Sequence, residues 1–357
     1  MFKLALSALF SLLLVFIPAQ AAKAQQAGSG TVKQSVTKKS TAKKVVVKSR
    51  VVVRKRAAKA EGRTSKRTVV VRGKRQVVIQ RVRVAAPSVQ TMGDLAGLNL
   101  TRDPLDLKSS VALVLDQSNS EVLFEKNANV ALPIASITKL MTGLVVVQAR
   151  QDMDEMLRVT DDDIDREKFT RSRLKIGSEL SRSDMLHIAL MSSENRAASA
   201  LGRNYPGGLP AFVAAMNAKA RLLGMNDTHY VDSSGLSKLN VASARDLGRL
   251  VMAAHNEPLL RQYSTDQKTI VETNGVAMRY GNTNRLVNNP DWDIGLQKTG
   301  FINEAGRCLV MQAKIEGRAV IMVFLDSKGT QSRTADAGRM RKWLEALKPS
   351  GMSVPGG

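Results

Sequence analysis

One cysteine, Cys308, and three histidines are all that the 357 residues hold of those two types. A lone thiol cannot close an internal disulfide, so stability must come from a packed core. No grouping of histidine, cysteine and carboxylates has metal-ligand spacing, so no metal or other cofactor is expected. Aromatic residues are only 4% of the chain. After the apolar run Leu4 to Ile17, no stretch approaches the roughly 20 apolar residues that a membrane-spanning helix needs. That first run follows Lys3 and precedes the small-residue sites Ala19-Gln20-Ala21 and Ala22-Lys23-Ala24. Residues 1–24 therefore read as a secretory signal peptide, cleaved near residues 21–24, with the mature protein in the periplasm.

The net charge of +23 is unevenly placed. From Ala27 to Ala86 lysine and arginine face one acid, Glu61, and there is no aromatic residue. Basic clusters alternate there with valine runs, as in Lys43-Lys44-Val45-Val46-Val47-Lys48. Such composition builds no core alone, and residues 27–86 read as a disordered basic low-complexity linker. Its charge suits an anionic wall or membrane surface. Nucleic acid is not the expected partner, because the aromatics on which bases stack are missing and the rest of the chain is nearly neutral. Gly73-Lys74-Arg75 between valine-rich runs has the makings of a small hairpin, which is marginal in isolation.

Residues 87–108 read as a connector and 109–348 as the folded domain, with 349–357 a flexible tail. Val111 to Leu115 and Glu121 to Phe124 flank turn chemistry and predict a β-hairpin. Helical spacing follows from Ser136 to Gln148, Leu180 to Leu201, Leu209 to Leu223 and Ala242 to Ala254. Strand signals return at Ile294 to Gln297, Arg307 to Ile315 and Ala319 to Leu325, and a helix closes the domain from Ala335 to Leu347. Strands at both ends with helices between predict an α/β (α+β) domain. In it one antiparallel sheet, flanked by helices, joins the first hairpin to the late strands.

Three short motifs carry chemistry. Ser136-Ile137-Thr138-Lys139 puts a hydroxyl and an amine on one face at a helix start. There the amine can take the hydroxyl's proton if burial or a nearby cation lowers its pKa. Taken alone, the pattern reads as a helix cap and a surface lysine. Ser193-Glu194-Asn195 interrupts an apolar helical stretch, where polar groups need partners or a task. Lys298-Thr299-Gly300 is expected to end the strand Ile294 to Gln297, with a cation, a hydroxyl and a residue without Cβ beside any ligand.

Ser-x-x-Lys, Ser-x-Asn and Lys-Thr-Gly in this order resemble the markers of the β-lactamase and DD-peptidase fold. Pro133 to Thr142, Leu190 to Ala197, Tyr205-Pro206-Gly207-Gly208, Asn282-Thr283-Asn284 and Gln297 to Phe301 resemble the low-molecular-mass penicillin-binding proteins, the D-alanyl-D-alanine carboxypeptidase and endopeptidase family. The endopeptidase branch is the nearest. The resemblance implies that Ser136 is the nucleophile, Lys139 its base and Ser193 a proton relay supported by Lys298. It also implies that Asn195 orients the substrate and Thr299 meets its carboxylate. Gly300 belongs to the same binding strand, and the backbone N–H groups of Ser136 and Phe301 would form the oxyanion hole. Peptidoglycan peptides are then the substrates and β-lactam antibiotics the covalent inhibitors. The chain ends soon after its last helix, which favours the endopeptidase over carboxypeptidases that carry a second β-rich domain.

Two other readings compete. A serine β-lactamase shares the motifs, but no Glu-x-x-Leu-Asn lies between Ser136 and Lys298. A wall- or polyanion-binding protein acting through its basic arm would have no need of Lys139 beside Ser136. The histidines read as structural, since a Ser-Lys mechanism needs none, and Cys308 reads as core. Arg307, Lys328 and Arg333 read as surface charge or as a second carboxylate contact.

Overall fold

Ser109–Asp116 is buried at every position, the pattern of a central strand covered on both faces. The computed structural model describes residues 89–347 together with the strands Arg63–Val71 and Lys74–Val82. The expected signal peptide and the tail from 349 lie outside the described residues. The last two strands, β1 (Arg63–Val71) and β2 (Lys74–Val82), pair antiparallel with Val71 opposite Lys74. Part of the stretch expected to be disordered is therefore a hairpin, as its β-branched runs favour.

The main sheet contains β3 (Ser109–Asp116), β4 (Val122–Lys126), β11 (Asp293–Ile302), β12 (Gly306–Ile315) and β13 (Arg318–Ser327). Their order is β11-β12-β13-β3-β4, antiparallel throughout. The first hairpin thus joins the late strands, as expected. Three smaller pairings use β5 (Leu132–Pro133) with β8 (Val241–Ala242), β6 (Met156–Arg158) with β7 (Glu179–Ser181), and the hairpin β9 (Lys268–Thr273) to β10 (Val276–Gly281).

The helices are α1 (Met92–Leu95), α2 (Thr138–Gln148), α3 (Arg182–Met191), α4 (Asn195–Arg203), α5 (Gly208–Leu222), α6 (Ala244–His255), α7 (Pro258–Thr265) and α8 (Ser332–Ala346). One apolar layer lies between the sheet and α2, α3, α4 and α6; a second joins the other face to α8 through Ala337, Met340 and Leu344. Helix α2 is buried from Thr138 to Val146, so it is the axis on which the other helices pack. Its Leu140, Met141 and Leu144 are fully buried, and truncating any one to alanine should cost about 2–5 kcal/mol.

Two expectations are corrected. The helical pattern Leu180 to Leu201 is two helices, broken where Ser193 takes a left-handed φ of 60°. Strand β11 does not stop before Lys298-Thr299-Gly300 but runs on to Ile302, because its pairing with β12 continues to Gly306.

Residues 89–108, read as a connector, are docked on the domain. Lys126 and Asp103 form a pair at 2.9 Å with both side chains 5% exposed. The Met92 amide donates to the Glu304 carbonyl at 2.9 Å. Nearby, the fully buried Asp336 of α8 accepts from the Lys108 amide (3.0 Å), the Ser109 amide (2.8 Å) and Ser109 Oγ (2.5 Å). Asp336→Ala leaves the two buried Ser109 donors without a partner, at roughly 1–3 kcal/mol for each unsatisfied group. Urea denaturation of the variant should show a loss of about 3 kcal/mol; a change under about 0.5 kcal/mol would contradict this account.

Candidate active site

The turn before α2 is a short 3-10 segment, Ala135–Ile137, with Ala135 at a left-handed φ of 50°. Alanine rarely adopts that conformation, which costs on the order of 1 kcal/mol. The turn holds it because two glycines press on the turn. A β-carbon on Gly235 would lie 2.0 Å from the Ala135 carbonyl oxygen, and one on Gly300 would lie 2.8 Å from the Ile134 oxygen and 3.2 Å from the Ser136 amide. The second contact brings β11 directly against the Ser136 turn.

Helix α2 then places Lys139 one turn along. Its Nζ donates to Ser136 Oγ at 2.9 Å, to Asn195 Oδ1 at 2.7 Å and to the Ser234 carbonyl at 2.5 Å. Those three acceptors exhaust the donors of an ammonium. The lysine is fully buried, and burial pulls its pKa down to about 8 against the opposing charges of Asp232, Glu194 and Asp165. At neutral pH a measurable fraction of this amine is uncharged and able to accept a proton.

Ser193 and Asn195 come from the break between α3 and α4. Lys298, fully buried on β11, donates to Ser193 Oγ at 2.9 Å and to the Thr299 carbonyl at 2.9 Å. Burial first, then the cations of Lys139 and Arg333, hold Lys298 well below the usual lysine range. Each of the two serines thus accepts a hydrogen bond from its own buried amine. Thr299 Oγ1 lies 2.7 Å from Thr283 Oγ1, while Phe301 stands half exposed at the cleft rim. Of the eight residues singled out from the sequence, Ser136, Lys139 and Asn195 are joined by hydrogen bonds, Ser193 is bonded to Lys298, Gly300 packs against the Ser136 turn, and Thr299 and Phe301 flank Gly300 on β11.

Several supporting residues were not legible beforehand. Asp232 accepts from the Ser234 and Gly235 amides at 2.6 Å each, folding a loop that aims the Ser234 carbonyl at Lys139. The Asp-Ser-Ser-Gly run is turn chemistry, so its existence was readable but its target was not. Asn195 Nδ2 donates to Thr170 Oγ1 at 2.9 Å. The same loop sends Lys168 to Glu304 at 2.6 Å, joining the helical side of the cleft to the β11–β12 turn. Arg333, one of the candidate carboxylate contacts, donates from Nη1 to the Gly300 carbonyl at 2.8 Å and to the Cys308 carbonyl at 3.1 Å. It therefore braces β11.

The histidines stay outside the cluster. His187 stacks on Tyr263 and pairs with Asp266, His255 meets Gln117, and His229 bridges Val241 through its backbone. Cys308 is buried, and burial pushes its thiol up to about 12.

Fold and site together define a serine DD-peptidase of the penicillin-binding class. The family profile for D-alanyl-D-alanine carboxypeptidase matches residues 99–329, and the chain belongs to that family. The D-alanyl-D-alanine endopeptidase of Pseudomonas aeruginosa is 49% identical over 252 residues, 70% of this chain and 80% of that protein. The D-alanyl-D-alanine endopeptidase of Escherichia coli is 44% identical over 252 residues, 70% and 81% respectively. The crystal structure of the Streptomyces K15 DD-transpeptidase shares the fold, with a TM-score of 0.64 at 24% identity, covering 69% of this chain and all of that one.

The Gly300 contact yields a test. Gly300→Ala must push β11 away from the Ser136 turn, since the obstructing Ile134 oxygen is backbone. A displacement near 1 Å costs about a hundredfold in rate. Acylation by benzylpenicillin, followed by intact mass, should slow at least about tenfold, with the circular dichroism spectrum unchanged; wild-type kinetics would show that the close approach is not needed.

Proposed function

We propose that this chain is an exported endopeptidase that cuts D-alanyl bonds in peptidoglycan cross-links through an acyl-enzyme on Ser136. The observation that carries the reading is the fully buried Lys139 amine at 2.9 Å from Ser136 Oγ. A lysine there serves no surface role, and in its uncharged form it is the base that a serine nucleophile requires. The relatives named endopeptidases, at 49% and 44% identity, support the cross-link as substrate over a terminal D-alanine; a carboxypeptidase of Salmonella typhimurium is 31% identical.

In this reading Ser136 Oγ bonds to the D-alanyl carbonyl carbon while its proton passes to Lys139 Nζ. The carbonyl oxygen takes up negative charge facing the Ser136 and Phe301 amides, each such donor being worth about 3 kcal/mol. The C–N bond then breaks. Ser193 Oγ hands its proton to the departing amine and recovers one from the lysine pair, to which Lys298 joins it at 2.9 Å. Water releases the acyl group by the same route in reverse. Asn195, bonded to Lys139, orients the amide of the peptide. Thr299 meets its carboxylate, and Gly300 lets the bound peptide lie along β11. A β-lactam enters the same site and stays as a stable ester.

Residues 1–24 act as the export signal to the periplasm, and the basic residues 27–86 rest on anionic wall or membrane surface. Among the described residues no helix is long and apolar enough to cross a membrane. Binding of the Ser136→Ala protein to isolated wall should weaken as salt rises, since the Debye length falls from about 10 Å at 0.1 M to about 3 Å at 1 M; salt-independent binding would remove the arm from the reading.

Ser136→Ala should give no benzylpenicillin adduct by mass spectrometry and leave cross-linked muropeptide dimers intact. Lys139→Ala should slow acylation by about a hundredfold to ten-thousandfold with its melting curve retained. Normal labelling of either variant would end the assignment. Conversion of dimers to monomers by the wild-type chain identifies the endopeptidase, whereas loss of only a terminal D-alanine makes it a carboxypeptidase.

The titration of Lys139 sets a pH profile. Its active form is the deprotonated one, so the acylation rate should rise with pH and level off above an inflection near 8. A rate that is flat from pH 6 to 9 would exclude a lysine base with that pKa.

A further inference from the structure

Beside Phe301 lies a cavity of about 390 Å³, whose walls include Thr91, Asp94, Asn303, Arg307 and Lys328. It shares Phe301 with the strand that carries Lys298 and Gly300. Gly300 abuts the Ser136 amide, so the scissile bond is level with Gly300. Lys298, which meets the proton relay Ser193, lies on the leaving-amine side of that level. Residues after Gly300 lie on the acyl side.

The charges in this cavity are not equally free. Lys328 is paired with Asp94, and Asp94 also accepts from the Thr91 amide at 3.2 Å. Arg307 has no carboxylate within pairing distance among the described residues. Its guanidinium lies 4.7 Å from the centre of the Phe301 ring, opposite which β12 places it in register. Stacking fixes the plane of a guanidinium while leaving its N–H fork open, and that fork matches a carboxylate.

We propose that this cavity is a subsite for the acyl-donor peptide and that Arg307 binds a free carboxylate on the side chain of the residue preceding the scissile D-alanine. The assignment rests on the peptidase reading for the direction of the bound peptide. The docked residues Thr91 and Asp94 form its far wall, which gives the segment before the sheet a part in substrate choice. Arg307 is a specificity residue and takes no part in bond breaking.

The test uses the full chain carrying Ser136→Ala, so that bound peptide is not consumed. Two synthetic D-alanyl-D-alanine peptides are titrated by calorimetry, identical except that the side chain before the scissile bond ends in a carboxylate in one and in its amide in the other. The carboxylate peptide should bind about tenfold or more tightly, as expected for a charge-assisted bidentate contact. Adding Arg307→Ala should bring the ratio of the two Kd values close to one, and Arg307→Lys should restore part of it. Equal binding of the two peptides by the parent, or a ratio that survives Arg307→Ala, overturns the subsite. Cleavage is measured separately on the wild-type chain: a failure to cut any D-alanyl bond refutes the peptidase reading without altering the binding ratio.

Discussion

A lysine amine kept dry beside a serine hydroxyl is expensive to hold, and much of the helical layer can be understood as its support. Lys139 is fully buried, which opposes its charge, while the carboxylates of Asp232, Glu194 and Asp165 favour it; three acceptors at 2.5–2.9 Å take its hydrogens. The balance leaves the amine near 8. Either influence alone would spoil the chemistry. Burial without partners would leave polar hydrogens unsatisfied at a cost of about 1–3 kcal/mol each. Stronger acidic partners would return the amine to its ordinary range and leave Ser136 without a base. The acceptors meet this limit by being neutral: a hydroxyl, a side-chain amide and a backbone carbonyl.

The neighbouring pair follows the same logic. Lys298 is buried too, and the Lys139 charge helps to keep its pKa low. Two amines facing one cleft resist being charged together, so proton gain at one favours proton loss at the other. That coupling suits a cycle in which one proton leaves Ser136 and another reaches the departing amine. The wall that carries Lys298 is held from outside by Arg333, which binds the Gly300 and Cys308 carbonyls. The half-buried Arg333 and the Gly300 contact with the Ser136 turn together fix β11.

How much of this could be read in the residues depended on distance along the chain. The Ser136 to Lys139 pair is one helical turn, so periodicity alone put the two groups on one face. That the first hairpin joins the late strands was accessible because Val111 to Leu115, Cys308 to Met311 and Ala319 to Leu325 are apolar runs. Convergence of Ser136, Ser193 and Lys298 was not derivable from local pattern, since the Lys139–Asn195 and Ser193–Lys298 contacts, 56 and 105 residues apart in sequence, depend on packing; it came from a resemblance. The Ser234 carbonyl was out of reach altogether, because a backbone acceptor has no residue type. The end of β11 differs from the expectation for a related reason: lysine and glycine weaken a strand signal locally, whereas the pairing with β12 that carries the strand onward is tertiary.

Strain marks the same places. Ala135 and Ser193 both take left-handed backbone conformations, each costing about 1 kcal/mol or more for a residue with a β-carbon. One immediately precedes Ser136 and the other is the serine bonded to Lys298. Neither conformation is favoured by its own residue type, so each persists because surrounding contacts over-determine it: Gly235 and Gly300 against the first turn, and the Lys298 amine on the second. Replacing Ala135 with glycine would relieve the first cost and also free the unfolded chain, so the two effects on stability oppose each other. The arrangement therefore trades local stability for the placement of two hydroxyls, and the surplus that permits it lies in the apolar packing of α2 and the central strands.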